Sequence, residues 1–202
     1  MSTSKSRAPR GRGRRPASEA KILGFRLPAT VSRPALLEQG SDERFRRMVY
    51  DLLTIASRMA MVREHLGSRM GISAPQYSLL MAIGQFQGRR GVGVTAIAKV
   101  LHVSSAFVAT ETGKLVQAGL LTKRSNPKDR RAVLLSLTRA GRTLIERNSA
   151  EVRALNDVFF GALTHSAFIA ASATMASLVH GSARAIAHLR IAEPDYWREA
   201  AE

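Results

Sequence analysis

The sequence predicts a mainly α fold in which long helices flank a cluster of short helices and one small β-hairpin. Three patterns carry that prediction. Apolar residues recur at helical spacing on both sides of the centre, cap and breaker residues divide the centre into short helices, and two β-type runs enclose a basic loop.

Residues 1–21 are rich in Arg, Pro, Gly and Ser and lack hydrophobic periodicity, the signature of a disordered basic tail. Residues 22–41 form an N-terminal arm, because Pro28 and Pro34 break any long helix. Ser41 or Asp42 can then cap a helix whose apolar stripe runs through Val49, Leu52, Leu53, Ala56, Met59 and Ala60, with Gly67 or Gly71 to end it. Ser73 and Pro75 open a second helix carrying Tyr77, Leu80, Met81 and Ile83 to about Gln85. Gly88 to Gly93 reads as a turn, Val94 to Leu101 as a short helix, and His102-Val103 as a tight corner. Ser104 or Ser105 caps the next helix, which runs to about Gln117 and stops where Gly119 can adopt a left-handed conformation. Leu120–Lys123 and Val133–Leu137 are β-type runs around a polar loop over 124–132, too long for a two-residue turn. Thr138 opens a long helix carrying Leu144, Ile145, Val152, Leu155, Val158 and Phe159 and ending at Gly161. A last Ala-rich helix spans about 165–189, before Pro194.

This order makes a winged helix-turn-helix with helical extensions. Residues 94–117 supply a short helix, a tight corner and a second helix with a polar N-terminal face, as entry into a major groove requires. Ile97, Ala98 and Leu101 supply the buried side of the first helix; Phe107 or Val108, Leu115 and Val116 supply that of the second.

Charge points to the same partner. Lys and Arg number 31 against 15 Asp and Glu, leaving a net +16 that attracts polyanions. Seven of the basic residues precede residue 22 against the single acid Glu19, so most of the surplus belongs to the rest of the chain. The absence of cysteine removes disulfides and thiolate metal sites and suits a reducing cytoplasm. No apolar h-region follows the basic N-terminus as in a signal peptide, and the longest apolar stretch, Ala167 to Val179, is too short to span a bilayer, so no membrane partner is expected.

Candidate groove-facing residues are Ser104, Ser105, Ala106, Ala109, Thr110 and Lys114, a set short of the Arg, Asn and Gln that make bidentate base contacts. The wing supplies the missing cations: Lys123, Arg124, Lys128, Arg130 and Arg131 surround one acid, Asp129. Such a tip can enter a minor groove, with Asp129 orienting Arg131. Pro9 to Pro16 loosely resembles an AT-hook, although a general electrostatic arm explains the composition as well.

Five motifs occur in order: Ile72-Ser-Ala-Pro-Gln-Tyr-Ser-Leu-Leu80, Ala96-Ile-Ala-Lys-Val-Leu101, Lys114-Leu-Val-Gln-Ala-Gly-Leu120, Asn126-Pro-Lys-Asp-Arg-Arg-Ala132 and Leu137-Thr-Arg-Ala-Gly141. Together they resemble the multiple-antibiotic-resistance regulator (MarR) family over about 42–190. The resemblance implies a DNA-binding transcription regulator, a repressor acting as a homodimer on double-stranded DNA at a pseudo-palindromic operator. Recognition helices would lie in successive major grooves, with wings in the flanking minor grooves. It also implies a division into a dimerisation helix over 42–71, a DNA-binding domain over 72–140 and C-terminal dimerisation helices over 141–202. Asp129 and Arg131 match the wing pair, and Ser104 to Lys114 the recognition helix. Two positions depart: Glu111 stands where an apolar residue is expected and Thr110 where a basic one is frequent. An ion pair within the fold is the simplest account of Glu111.

Family members often hold a small molecule between the dimerisation helices and the DNA-binding lobe. Arg58, Arg63, His65, Arg69 and Tyr77 are the candidates here, and their basic and aromatic character suits an aromatic carboxylate or its thioester. The five histidines include no i,i+4 pair, and no phosphate-cradling loop, Gly-x-Ser-x-Gly or His-Glu-x-x-His occurs. No cofactor, metal or enzymatic activity is therefore expected. An architectural DNA binder of low sequence preference remains the alternative to a ligand-relieved repressor.

Overall fold

The computed structural model of the protein describes residues 27–127 and 129–191, and for Arg130, Arg131, Arg190 and Ile191 the backbone alone. The predicted disordered tail, its AT-hook-like segment, Lys128, the side chains of Arg130 and Arg131, and Pro194 lie outside the described residues. The described residues fall into two units, one ending at Thr54 and one beginning at Ile55.

In the first unit the arm is a clasp. A 3-10 helix over Pro34–Leu36 leads to a two-residue turn, Gln39 and Gly40, both at positive φ, closed by the bridge between Glu38 and Ser41. Asp42 is buried; its carboxylate accepts the Thr30 amide at 2.7 Å, the Thr30 hydroxyl at 2.8 Å and the Arg46 guanidinium. The Thr30 amide above all, then its hydroxyl and Arg46, hold that carboxyl below its ordinary range. Helix α1, Glu43–Arg69, starts here. Ser41 serves its first turn by accepting from the Glu43 amide at 3.2 Å, while the Asp42 side chain reaches back to Thr30.

In the second unit, α1 continues through Gly67 to Arg69, and Gly71 at φ +68 turns the chain. Gly67 is thus a close-approach residue inside the helix, since a Cβ there would stand 2.9 Å from the Ile72 carbonyl oxygen. Helix α2, Ala74–Phe86, opens on a capping box between Ser73 and Gln76. Then come β1 (Val92–Gly93), α3 (Val94–Leu101), α4 (Ser105–Gln117), β2 (Leu121–Asn126), β3 (Asp129–Leu137), α5 (Arg139–Phe160) and α6 (His165–Ile191). Leu79, Leu80, Ile83, Ile97, Val108, Leu115, Leu121 and Leu135 are at most 2% exposed and form the core of α2, α3, α4 and the sheet.

Two expectations about the wing need correction. The sheet has three antiparallel strands in the order β1-β3-β2, because Val92 and Gly93, read as part of a turn, pair with Leu135 and Leu134. The polar loop over 124–132 is largely strand: β2 pairs with β3 out to Asn126 opposite Asp129, with an irregularity at Ser125, leaving only residues 127–128 between them. Backbone hydrogen bonds carry the ribbon where none of the described residues among 124–126, 129, 132 and 133 is buried, so it needs no apolar alternation to extend. Among the described residues, no single helix is long and apolar enough to cross a membrane.

Candidate nucleic-acid interface

The corner between α3 and α4 is set by His102, which takes a left-handed conformation (φ 53) and donates its amide to the Lys99 carbonyl, while the Val103 amide bonds the Ala98 carbonyl. Ser104 then caps α4 by accepting from the Phe107 amide at 3.1 Å. Val108, Thr112 and Leu115 fix the rotation of α4 about its axis by sinking into the core; the Thr112 hydroxyl is satisfied by the Val108 carbonyl at 2.6 Å. That rotation leaves Ser105, Ala106, Ala109, Thr110 and Lys114 exposed along one side, with Ser104 at the tip. Phe107 is on the exposed side too, so Val108 is the core residue of the pair.

Glu111 is engaged within the fold. Its carboxylate accepts Lys114 Nζ at 2.6 Å and Gln76 Nε2 of α2 at 3.1 Å, the structural ion pair expected from the sequence. The Lys114 contact chiefly holds the Glu111 carboxyl below its ordinary 4.5, with Gln76 adding to it. The same pair neutralises Lys114, so α4 presents a small, nearly neutral surface.

The wing is registered on α4 through Lys123, whose ammonium donates to the Ala109 carbonyl at 3.2 Å. At the other end of α4, Gly119 (φ +70) reverses the chain and Thr138 ties α5 to it. The Thr138 hydroxyl donates to the Gly119 carbonyl at 2.7 Å and accepts from the Gly141 amide at 3.0 Å, and its own amide donates to the Leu120 carbonyl at 3.1 Å. This explains the Leu-Thr-x-x-Gly motif: Thr138 is an N-cap and a strut, and Gly141 admits the Leu120 carbonyl where a Cβ would sit. Sequence reasoning also passed over Gln87, which accepts the Leu137 amide at 2.8 Å and so completes the end of β3. A lone glutamine just past a helix end carries no such signal.

The fold is a winged helix-turn-helix, and comparison with known proteins agrees. The MarR family profile matches residues 70–132, which span α2 to the wing. Over that third of its length the chain is similar to the MarR family. The HTH-type transcriptional repressor YetL of Bacillus subtilis (strain 168) is 26% identical over 113 residues, covering 56% of this chain; the chain spans 65% of that relative's length. MepR of S. aureus, solved as a DNA complex, superposes with a TM-score of 0.57 at 17% identity, covering 66% of this chain and 96% of MepR. CouR from Rhodococcus jostii RHA1, solved with p-coumaroyl-CoA, gives 0.56 at 21% identity over 64% of this chain and 90% of CouR. At these identities the structural likenesses speak for the fold. The family is one of transcription regulators rather than enzymes.

The five candidate ligand residues do not share one environment. Arg63 borders a cavity of about 250 Å³ with Ala60, Pro75, Ser78, Leu101 and Phe107. Arg58 is exposed on α1. Tyr77 is buried among core residues, and burial raises its hydroxyl pKa. His65 and Arg69 are both engaged by Glu151 of α5, at 2.8 and 3.3 Å. His65 first, then Arg69, lowers the Glu151 pKa below its ordinary 4.5.

Proposed function

We propose that the protein is a transcription regulator, a repressor in type, that binds double-stranded cytoplasmic DNA as a homodimer. Each protomer would place α4 in a major groove and its wing in the adjacent minor groove. The observation that carries this reading is the division of labour between the two elements. Helix α4 exposes a small neutral ridge narrow enough to enter a groove, while cations are concentrated on the wing pinned beside it through Lys123 and Ala109. The name of YetL and the DNA-bound state of MepR support the reading.

Dimerisation is supported by apolar surface left uncovered on α5 and α6. Val158 is 85% exposed, and Phe168, Ile169, Ile186 and Leu189 are each more than half exposed, although none carries charge that would favour water. A single-chain protein does not keep so many large apolar side chains along one helix in solvent.

The test is duplex binding by fluorescence anisotropy against salt, with the oligomer measured by light scattering. A dimer contacting about six to ten phosphates loses roughly three to five decades of affinity between 50 and 200 mM salt. Arg131→Ala is expected to weaken operator binding by about 1–3 kcal/mol. A monomer, or a duplex affinity indifferent to salt, removes the proposal.

Relief by an aromatic acid or its thioester is the finer part of this reading. It rests on the cavity beside Arg63, whose volume suits a single aromatic ring with a short acid chain, and on the CouR complex. Titrating p-coumarate and its coenzyme A thioester into the protein–DNA complex tests it: release that Arg63→Ala abolishes is the expected result. The shortage of bidentate donors on α4 favours the second reading, an architectural binder. Compact two-fold footprints decide for repression and broad coverage for architecture.

A further inference from the structure

The sheet's register separates the wing's cations onto two faces. Lys123 and Leu135 are cross-strand partners; Leu135 is fully buried and Lys123 reaches α4, so this row faces the core and the recognition helix. The next row consists of Arg124, Leu134 and Gly93, and alternation turns it to the opposite, outer face. There the Arg124 guanidinium extends across β3 and donates from Nη2 to the Arg90 carbonyl at 3.1 Å. The turn carrying Arg90 lies over the same face. Gly91, at φ +85, is packed so closely on β3 that a Cβ would stand 2.7 Å from Ser136 Oγ and 2.9 Å from the Leu135 carbonyl oxygen. Arg89, Arg90 and Arg124 thereby border one recess of about 370 Å³ with Ser125, Asn126 and Leu134, and among the described residues no carboxylate lines it.

Three arginines bordering a recess with no carboxylate among its described lining residues, held by a tight turn and an anchoring hydrogen bond, form a ready receptor for phosphate oxygens. A wing lodged in a minor groove has a sugar-phosphate strand on each side. Its α4 face meets one of them, and its outer face meets the other. We propose that Arg89, Arg90 and Arg124 form a phosphate clamp on the outer face of the wing. The clamp grips the backbone strand on the far side of the minor groove and extends the DNA footprint beyond the reach of α4. This rests on the DNA-binding reading above and adds to it a contact surface on the turn between α2 and α3, outside both the recognition helix and the wing tip. The contact carries no base information, so it strengthens binding to operator and random duplex alike.

The experiment compares the full-length protein with Arg89→Ala/Arg90→Ala, using anisotropy on a long duplex and on one trimmed at both ends to stop short of the outer backbone strand. Both arginines are exposed, so the variant is expected to fold, which circular dichroism checks. Each phosphate contact contributes about 0.9 to the slope of log K against log salt, so the variant's slope on the long duplex falls by about two per wing and about four per dimer. On the trimmed duplex the two proteins bind alike. Arg147→Ala/Arg153→Ala, which removes the same charge from the exposed side of α5, leaves the slope within one unit of the wild type. An Arg89→Ala/Arg90→Ala slope equal to that of a tightly binding wild type overturns the clamp while leaving the DNA reading intact. A wild type that binds neither duplex overturns both. Inorganic pyrophosphate, titrated at constant ionic strength without DNA, distinguishes the source of the phosphate. If it stabilises the wild type but not the variant while the salt slopes agree, the recess serves a free diphosphate and the clamp is overturned.

Discussion

Gly141→Ala separates the geometry of the α4–α5 junction from generic helix propensity. Gly141 lies in the first turn of α5, and a methyl group there would press into the Leu120 carbonyl, roughly an ångström inside ordinary contact, and 3.3 Å from Leu137 Cδ2. The nearest obstacle is backbone, so the first turn of α5 must withdraw. Withdrawal stretches three hydrogen bonds: Thr138 hydroxyl to Gly119, Thr138 amide to Leu120, and Gly141 amide to Thr138. At about 0.5–1.5 kcal/mol each, their weakening costs about 3 kcal/mol, against which alanine's helix propensity returns up to about 1 kcal/mol. The expected loss is about 2–3 kcal/mol, equivalent to about 5–10 °C in Tm for a chain of this size. Gly113→Ala is the control. Gly113 sits inside α4 with only Lys123 Nζ near, at 3.9 Å, so the substitution is expected to stabilise by about 0.5–1 kcal/mol. The assay is urea unfolding followed by circular dichroism at one fixed protein concentration, because oligomerisation adds to stability by mass action. Opposite signs for the two substitutions support the junction described above. A Gly141→Ala protein within 0.5 kcal/mol of the wild type would refute it.

Three further outcomes follow from the same contacts. Ser104→Ala is expected to cost about 1 kcal/mol of stability through loss of the α4 cap, and Ser104→Gly only a few tenths, both read by urea unfolding. Glu111→Gln releases Lys114 from its ion pair, so duplex affinity rises and the salt slope steepens by up to about 0.9 per protomer; weakened binding would mean that Glu111 serves chiefly to orient Lys114. Glu111 and Glu151 hold their protons less tightly folded than unfolded. Their contribution is complete above about 4.5 and is lost as pH falls through the lower folded values. Glu151→Gln should flatten that acid limb in a pH series of unfolding midpoints, and an unchanged limb would show that the His65–Glu151–Arg69 cluster is energetically idle.

Much of the architecture was legible because its signals are local. Ser73, Ser104 and Thr138 announce helix starts, since a hydroxyl cap needs only the three residues that follow it. Gly71 and Gly119 announce reversals, since positive φ is a property of one residue. The exposed line from Ser104 to Lys114 followed from periodicity. What stayed hidden depends on partners distant in the chain. The turn at Gly88 to Gly93 conceals β1 because two residues become a strand only when β3 lies alongside them. The charged loop over 124–132 became ribbon because backbone pairing is indifferent to the side chains that mark a loop. Tyr77 is an aromatic ring in the sequence, and only the packing around it shows that it is buried with the core.

The sequence alone therefore determined the helical framework, the helix-turn-helix, the basic character of the wing and the family resemblance, all of which reside in short-range pattern and composition. Tertiary structure decided which groups meet: Glu111 with Lys114 and Gln76, Gly141 with the Leu120 carbonyl, and Arg124 with the turn that carries Arg89 and Arg90. Such pairings depend on the register and rotation of whole elements, and those are set by how the buried faces of α2, α4 and β3 pack together.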